Sequence, residues 1–231
     1  MNRKNLRSLA AGVALLLAVG ALAGCGGEKK ADDSKKMVTV GIAQLVEHGA
    51  LDAANKGFVA GMASKGFKEN ENVKYDRQNA QADQSNLQNI AQRFVSNKVD
   101  LICAIATPTA QTMANATKDI PIVATAVTDY EVAKLAASNN EPKGNVTGTS
   151  DMNPIDQQLE LLLKIAPQTK NIGTVYSSSE VNSQLQVDVL KKLAGDKGTA
   201  QQYCRCLFRA PLRRGEFSAE SAHPHLLRHR S

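Results

Sequence analysis

The chain has 231 residues, enough for one large domain or one and a half, and 42% of them are hydrophobic against 22% charged. Four cysteines are too few for a disulfide scaffold, and with no Trp and only 4% aromatics the core must be aliphatic. The net charge of +6 sits at the two ends, with Arg3, Lys4 and Arg7 at the start and six arginines against two glutamates in 198–231; residues 25–197 are near neutral, which argues against a basic nucleic-acid-binding face.

Residues 2–7 are basic, and Ser8 to Ala23 is an almost unbroken run of small and aliphatic residues. A charged stretch followed by a short apolar one reads as an export signal rather than a permanent span. The run ends Leu22-Ala23-Gly24-Cys25, which looks like a bacterial lipobox, with cleavage before Cys25 and lipid on its thiol. Residues 1–24 are thus expected to be a lipoprotein signal peptide. Residues 25–37 hold the lipidated Cys and a tether, whose charged core Glu28–Lys36 cannot bury enough surface to fold.

The body alternates strand and helix. Met37–Gln44 reads as a buried strand, and Leu51–Gly66 as a helix with Leu51, Ala54, Phe58, Val59 and Met62 on one face. Val73–Gln78 is a short second strand. Ser85 is placed to cap a helix through Asn97, with Leu87, Ile90, Ala91, Phe94 and Val95 on its stripe. Val99–Ala106 is an apolar strand, and Pro108–Thr117 a helix with Pro in its first turn. Strands follow at Ile120–Thr125, Asn145–Ser150 and Ile172–Tyr176, and helices at Val132–Ala137, Pro154–Ile165 and Val181–Ala194. Strands that are apolar throughout and alternate with helices predict an α/β fold, a parallel sheet with helices on both faces. Ligands of such sheets bind at the carboxyl ends of the strands.

The pattern breaks near residue 197. Beyond it there is no Lys or Asp, while three of the four His and two of the four Cys fall in 198–231. Cys204 and Cys206 have one residue between them, whereas common zinc sites place two to four there. A basic arm is another reading. The preferred one is an out-of-frame or foreign C-terminus, disordered, in place of the strand that Leu193-Ala194-Gly195 should lead into.

The strand-end segments VGIAQLVEHGALD (40–52), NAQADQSNL (79–87), VDLICAIATPTAQ (99–111), NVTGTSDM (145–152) and VYSSSEVNS (175–183), with residues 120–129, resemble the lipoprotein substrate-binding proteins of ABC importers, specifically the tryptophan/tyrosine-type branch. The resemblance runs from residue 38 to about 195. It implies a type I periplasmic-binding-protein fold, in which two α/β lobes close on a ligand. Residues 38–153 would form the first lobe, and 154–197 the crossing helix and the start of a second, incomplete lobe. Two departures stand out: Gly49 and Tyr130 each occupy a position where Pro is usual, and the second is expected to relax its loop.

A free amino acid needs an anion site, a cation site and a side-chain pocket. Thr107-Pro108-Thr109-Ala110, between a buried strand and a helix, is the candidate for the anion through free N–H groups and the hydroxyls of Thr107 and Thr109, although N-capping alone explains the same residues. Glu47, Asp129 and Asp151 are the candidate carboxylates for the ammonium, with turn formation as the competing role of a loop Asp. Gln44 and His48 share the first strand-end loop, where His48 is either a capping residue or a ligand contact. Asn79 lies in an amide cluster with Gln78 and Gln81, and Glu180 and Asn182 occupy the second-lobe loop.

No phosphate loop, dinucleotide fingerprint or nucleophile elbow is present, and Cys103 lies inside an apolar strand. The sequence therefore predicts no enzyme, no cofactor and no metal site. Together with the lipobox, the resemblance implies a lipid-anchored envelope protein that captures an aromatic or related amino acid for an ABC permease, impaired by its truncation. An envelope sensor lobe or an α/β enzyme are the other readings.

Overall fold

The computed structural model describes residues 37–142 and 144–206. The expected signal peptide, Cys25 and the expected tether up to Lys36 fall outside these residues, as does the sequence from residue 207. The element order is β1 (Val38–Gln44), α1 (Gly49–Ser64), β2 (Val73–Asn79), α2 (Gln84–Ser96), β3 (Leu101–Ile105), α3 (Thr107–Ala116), β4 (Ile122–Val127), β5 (Ala136–Ser138), β6 (Glu141–Pro142), β7 (Val146–Ser150), α4 (Ile155–Ile165), β8 (Asn171–Ser177), α5 (Val181–Asp196) and β9 (Ala200–Cys206).

Five strands form one parallel sheet in the order β2-β1-β3-β4-β7. Helices cover both faces. On one, Leu87, Ile90, Ala91 and Phe94 of α2 and Ala110 and Met113 of α3 pack with Ala43, Ile102, Ala104 and Ile122 of the strands. On the other, Leu51, Ala54, Phe58, Val59 and Met62 of α1 lie against Val40, Ile42, Cys103 and Ile105. This is the α/β architecture of a type I periplasmic-binding-protein lobe. Gly41 is needed at the first interface, because a Cβ there would stand 2.7 Å from the Phe94 ring. Phe94 is fully buried, which contributes about 3 kcal/mol of transfer free energy.

The central strands are apolar as expected, but the edge strands are not. β2 alternates buried and exposed residues, and four of the five β7 residues are exposed. An edge strand is covered less completely, so it tolerates polar side chains.

Three expectations need correction. First, α2 is capped by Asp83, whose side chain accepts from the Asn86 amide at 2.8 Å, and Ser85 lies inside the helix. Second, Val132–Ala137 is not a helix. Asp129 holds a single turn through its Oδ1, which accepts from the Val132 amide at 2.7 Å. Lys134, at φ 61°, takes a left-handed conformation that ends the turn, and the chain enters the small antiparallel pair β5–β6. Third, the tail does not depart at residue 198. Ala200–Cys206 forms β9, parallel to β8 from Asn171↔Ala200 to Ser177↔Cys206. The strand demanded by the βα order is therefore present, supported by backbone hydrogen bonds that place little demand on side-chain pattern.

Candidate functional site

The strand order reverses between β1 and β3, since the chain moves from β1 outward to β2 and then returns to the other side for β3. A crevice at such a switch point is where open parallel sheets bind ligands. Gln44 and Ile105 are direct partners at the carboxyl ends of these strands. The loop after Gln44 and the start of α3 therefore meet at one place.

On the β1 side, Gln44 is buried and fully engaged. Its amide donates to the Val46 carbonyl at 2.9 Å and to Asp52 Oδ1 at 2.6 Å, and its Oε1 accepts from Asn55 Nδ2 at 3.2 Å. It ties the strand end to the first turns of α1, so it shapes the loop instead of offering free donors to a ligand. Asp52 and Asn55 were missed by sequence reasoning, although their spacing of three on the helix that follows Gln44 was a usable signal. His48 is the N-cap of α1, and its Nδ1 accepts from the Ala50 amide at 3.3 Å. Glu47 beside it is exposed, with no hydrogen bond or ion pair among the described residues.

On the β3 side only Ala106 separates the strand from α3. Its amide donates to the Thr125 carbonyl at 3.0 Å, and its own carbonyl accepts from the Ala110 amide at 3.0 Å. The Ala110 N–H is thus spent inside the helix, which removes it from the expected anion donors. Pro108 has no N–H, so Thr107 and Thr109 supply the free amides of the first turn. No side chain caps this helix. The hydroxyls of Thr107 and Thr109 are buried without a hydrogen-bond partner, on residues only 2% and 0% exposed. An unpaired buried hydroxyl costs roughly 1–3 kcal/mol. Two of them beside an uncapped helix start, where the helix dipole is positive, suit an anion. A further bridge, Gln84 Nε2 to Thr112 Oγ1 at 3.1 Å, joins α2 to α3 behind the site.

The remaining candidates lie on other elements than β1 and α3. Asn79 pairs with Gln44 at the end of β2, and its Oδ1 accepts from the Gln81 amide at 2.8 Å. Asp129 is occupied at both oxygens, by the Val132 amide and by Asn139 Nδ2 at 2.8 Å, so it acts as a turn former. Asp151 follows β7, two strands and about 10 Å beyond β3. It is exposed. Glu180 stands at the N-cap of α5 without capping it. Asn182 Nδ2 donates to Glu180 Oε2 at 3.4 Å, while its Oδ1 is buried and unpartnered. No hydrogen bond among the described residues joins Glu180 or Asn182 to the strand-end loops of the first sheet.

Tyr130 does not relax its loop. Its hydroxyl donates to the Ala124 carbonyl at 2.9 Å and the Thr149 carbonyl at 3.2 Å. Burial, with the Asp151 charge second, pushes it up to about 12. Cys103 is likewise pushed up to about 12 by burial, so it holds its proton and is no nucleophile at neutral pH.

The chain matches the family model of the ABC transporter substrate binding protein over residues 39–201. A tyrosine-binding protein of Clostridioides difficile (strain R20291) is 50% identical over 201 residues, covering 84% of this chain and 57% of that protein. The crystal structure of an ABC domain in complex with L-Trp from Streptococcus pneumoniae shares 41% identity at a TM-score of 0.71, covering 74% of this chain and 58% of the other. A leucine binding protein from Thermotoga maritima, at 12% identity and a TM-score of 0.55, shares the fold. The chain spans a little over half the length of these two relatives. It belongs to the ABC transporter substrate-binding protein family.

Proposed function

We propose that this chain is an extracytoplasmic solute-binding protein for an ABC permease, with an aromatic amino acid, tyrosine or tryptophan, as its ligand class. The relatives named for tyrosine and for L-Trp support the class. The observation that carries the reading is the start of α3 at the β1/β3 switch point, where two free amides and two buried, unpartnered hydroxyls lie on one helical turn. They would take the ligand carboxylate. The Gln44–Asp52–Asn55 network shapes the loop after β1, where the exposed Glu47 is a candidate for the ammonium. The reading includes no catalytic step and no cofactor.

The export signal and Cys25 support a protein lipidated at Cys25 and held on the outer side of the cytoplasmic membrane or on another envelope membrane. The described residues hold five strands of the first sheet and two of the second.

Replacing Thr107 by Val tests the anion site. Val removes a buried unpaired hydroxyl at nearly constant volume, so the variant should melt higher while L-tryptophan binding weakens several-fold. Unchanged L-tryptophan affinity in Thr107→Val would remove that hydroxyl from the site.

A further inference from the structure

Ala106 has φ 90° and ψ 153°, a combination that is essentially restricted to glycine. It is an alanine all the same, and it is buried. Both of its backbone polar groups are held, the N–H by β4 and the carbonyl by α3. The inverted φ turns the chain from β3 into α3 through one residue, with no loop between. Whatever faces the crevice from Thr107 and Thr109 is consequently fixed to the sheet without slack.

We infer that Ala106 is a positioning residue, whose strained conformation holds the amides and hydroxyls of Thr107 and Thr109 in place for the ligand carboxylate. This rests on the anion-site reading above. Strain at one residue persists only where its surroundings over-determine it, and here β4 and α3 clamp it from both sides. Glycine at this position would remove the strain and restore backbone freedom together. The preorganisation that lowers the ordering cost of binding would then be lost.

The two consequences run in opposite directions, which separates positioning from mere structural support. A residue that only supports the fold moves stability and affinity together. The test compares the full chain with its Ala106→Gly and Ala106→Ser variants, by thermal melting and by nuclear magnetic resonance titration with L-tryptophan. Ala106→Gly should raise Tm by several degrees and weaken L-tryptophan binding several-fold, with faster motion of the Thr107 and Thr109 amides. Ala106→Ser keeps the Cβ and should retain wild-type affinity. A lower Tm for Ala106→Gly, or a higher Tm with unchanged affinity, overturns the positioning role alone. If L-tryptophan moves none of the wild-type amides at 107–110, the anion-site reading falls and this inference falls with it.

Discussion

Gly148 and Tyr130 depend on each other. A Cβ on Gly148 would collide with the Ala124 carbonyl and with the Tyr130 hydroxyl, so only glycine leaves room for that hydroxyl beside β7. In return Tyr130 donates to two carbonyls next to the irregularity in β4, where Ala126 has φ 55° and the register with β7 shifts. Tyr130→Phe leaves those carbonyls without this donor and should cost about 1–3 kcal/mol, read as a lower Tm. The effect should depend on pH. The hydroxyl ionises near 12 when folded and near 10 when unfolded. A raised folded value adds stability that is fully present below pH ~10 and declines as pH rises from there towards ~12. The gap between wild type and Tyr130→Phe should therefore narrow over that window in chemical denaturation, and a gap that widens would contradict the assigned cause.

At the scale of elements, legibility followed burial. β1, β3 and β4 are core strands, so their apolar runs showed in the sequence. The α2 stripe of Leu87, Ile90, Ala91 and Phe94 was equally plain, because one helix face meets the sheet. The segment after Asp129 misled, because a side-chain bond to Val132 and a left-handed Lys134 decide it, and neither shows in hydrophobic spacing. β9 misled for another reason: its sequence AQQYCRC has no apolar alternation, and its support is the ladder with β8. The site was half legible. Its loops could be placed from the strand ends, but the strain at Ala106 and the commitment of Gln44 to Asp52 and Asn55 are properties of conformation. β9 leads to a direct test. Relative to a chain ended after Cys206, one ended after Lys197 loses β9 from β8 and should show a lower Tm and a greater tendency to associate. Equal melting of the two truncations would contradict the role given to β9.

At the scale of the whole molecule two claims meet: where the protein is held and where its ligand binds. Cys25→Ala should release the protein from the membrane fraction or stall it with its signal uncut. A processed Cys25→Ala protein that stays on the membrane would contradict lipid anchoring at this residue. Where the ligand binds is the central claim, because among the described residues the first sheet holds the β1/β3 switch point. The most direct measurement is a titration of the isotope-labelled 231-residue chain with L-tryptophan, following backbone amides residue by residue. The account predicts saturable shifts at Thr107, Thr109 and the Leu45–His48 loop. No shift at these residues, or shifts confined to residues away from the β1/β3 crevice, would contradict it.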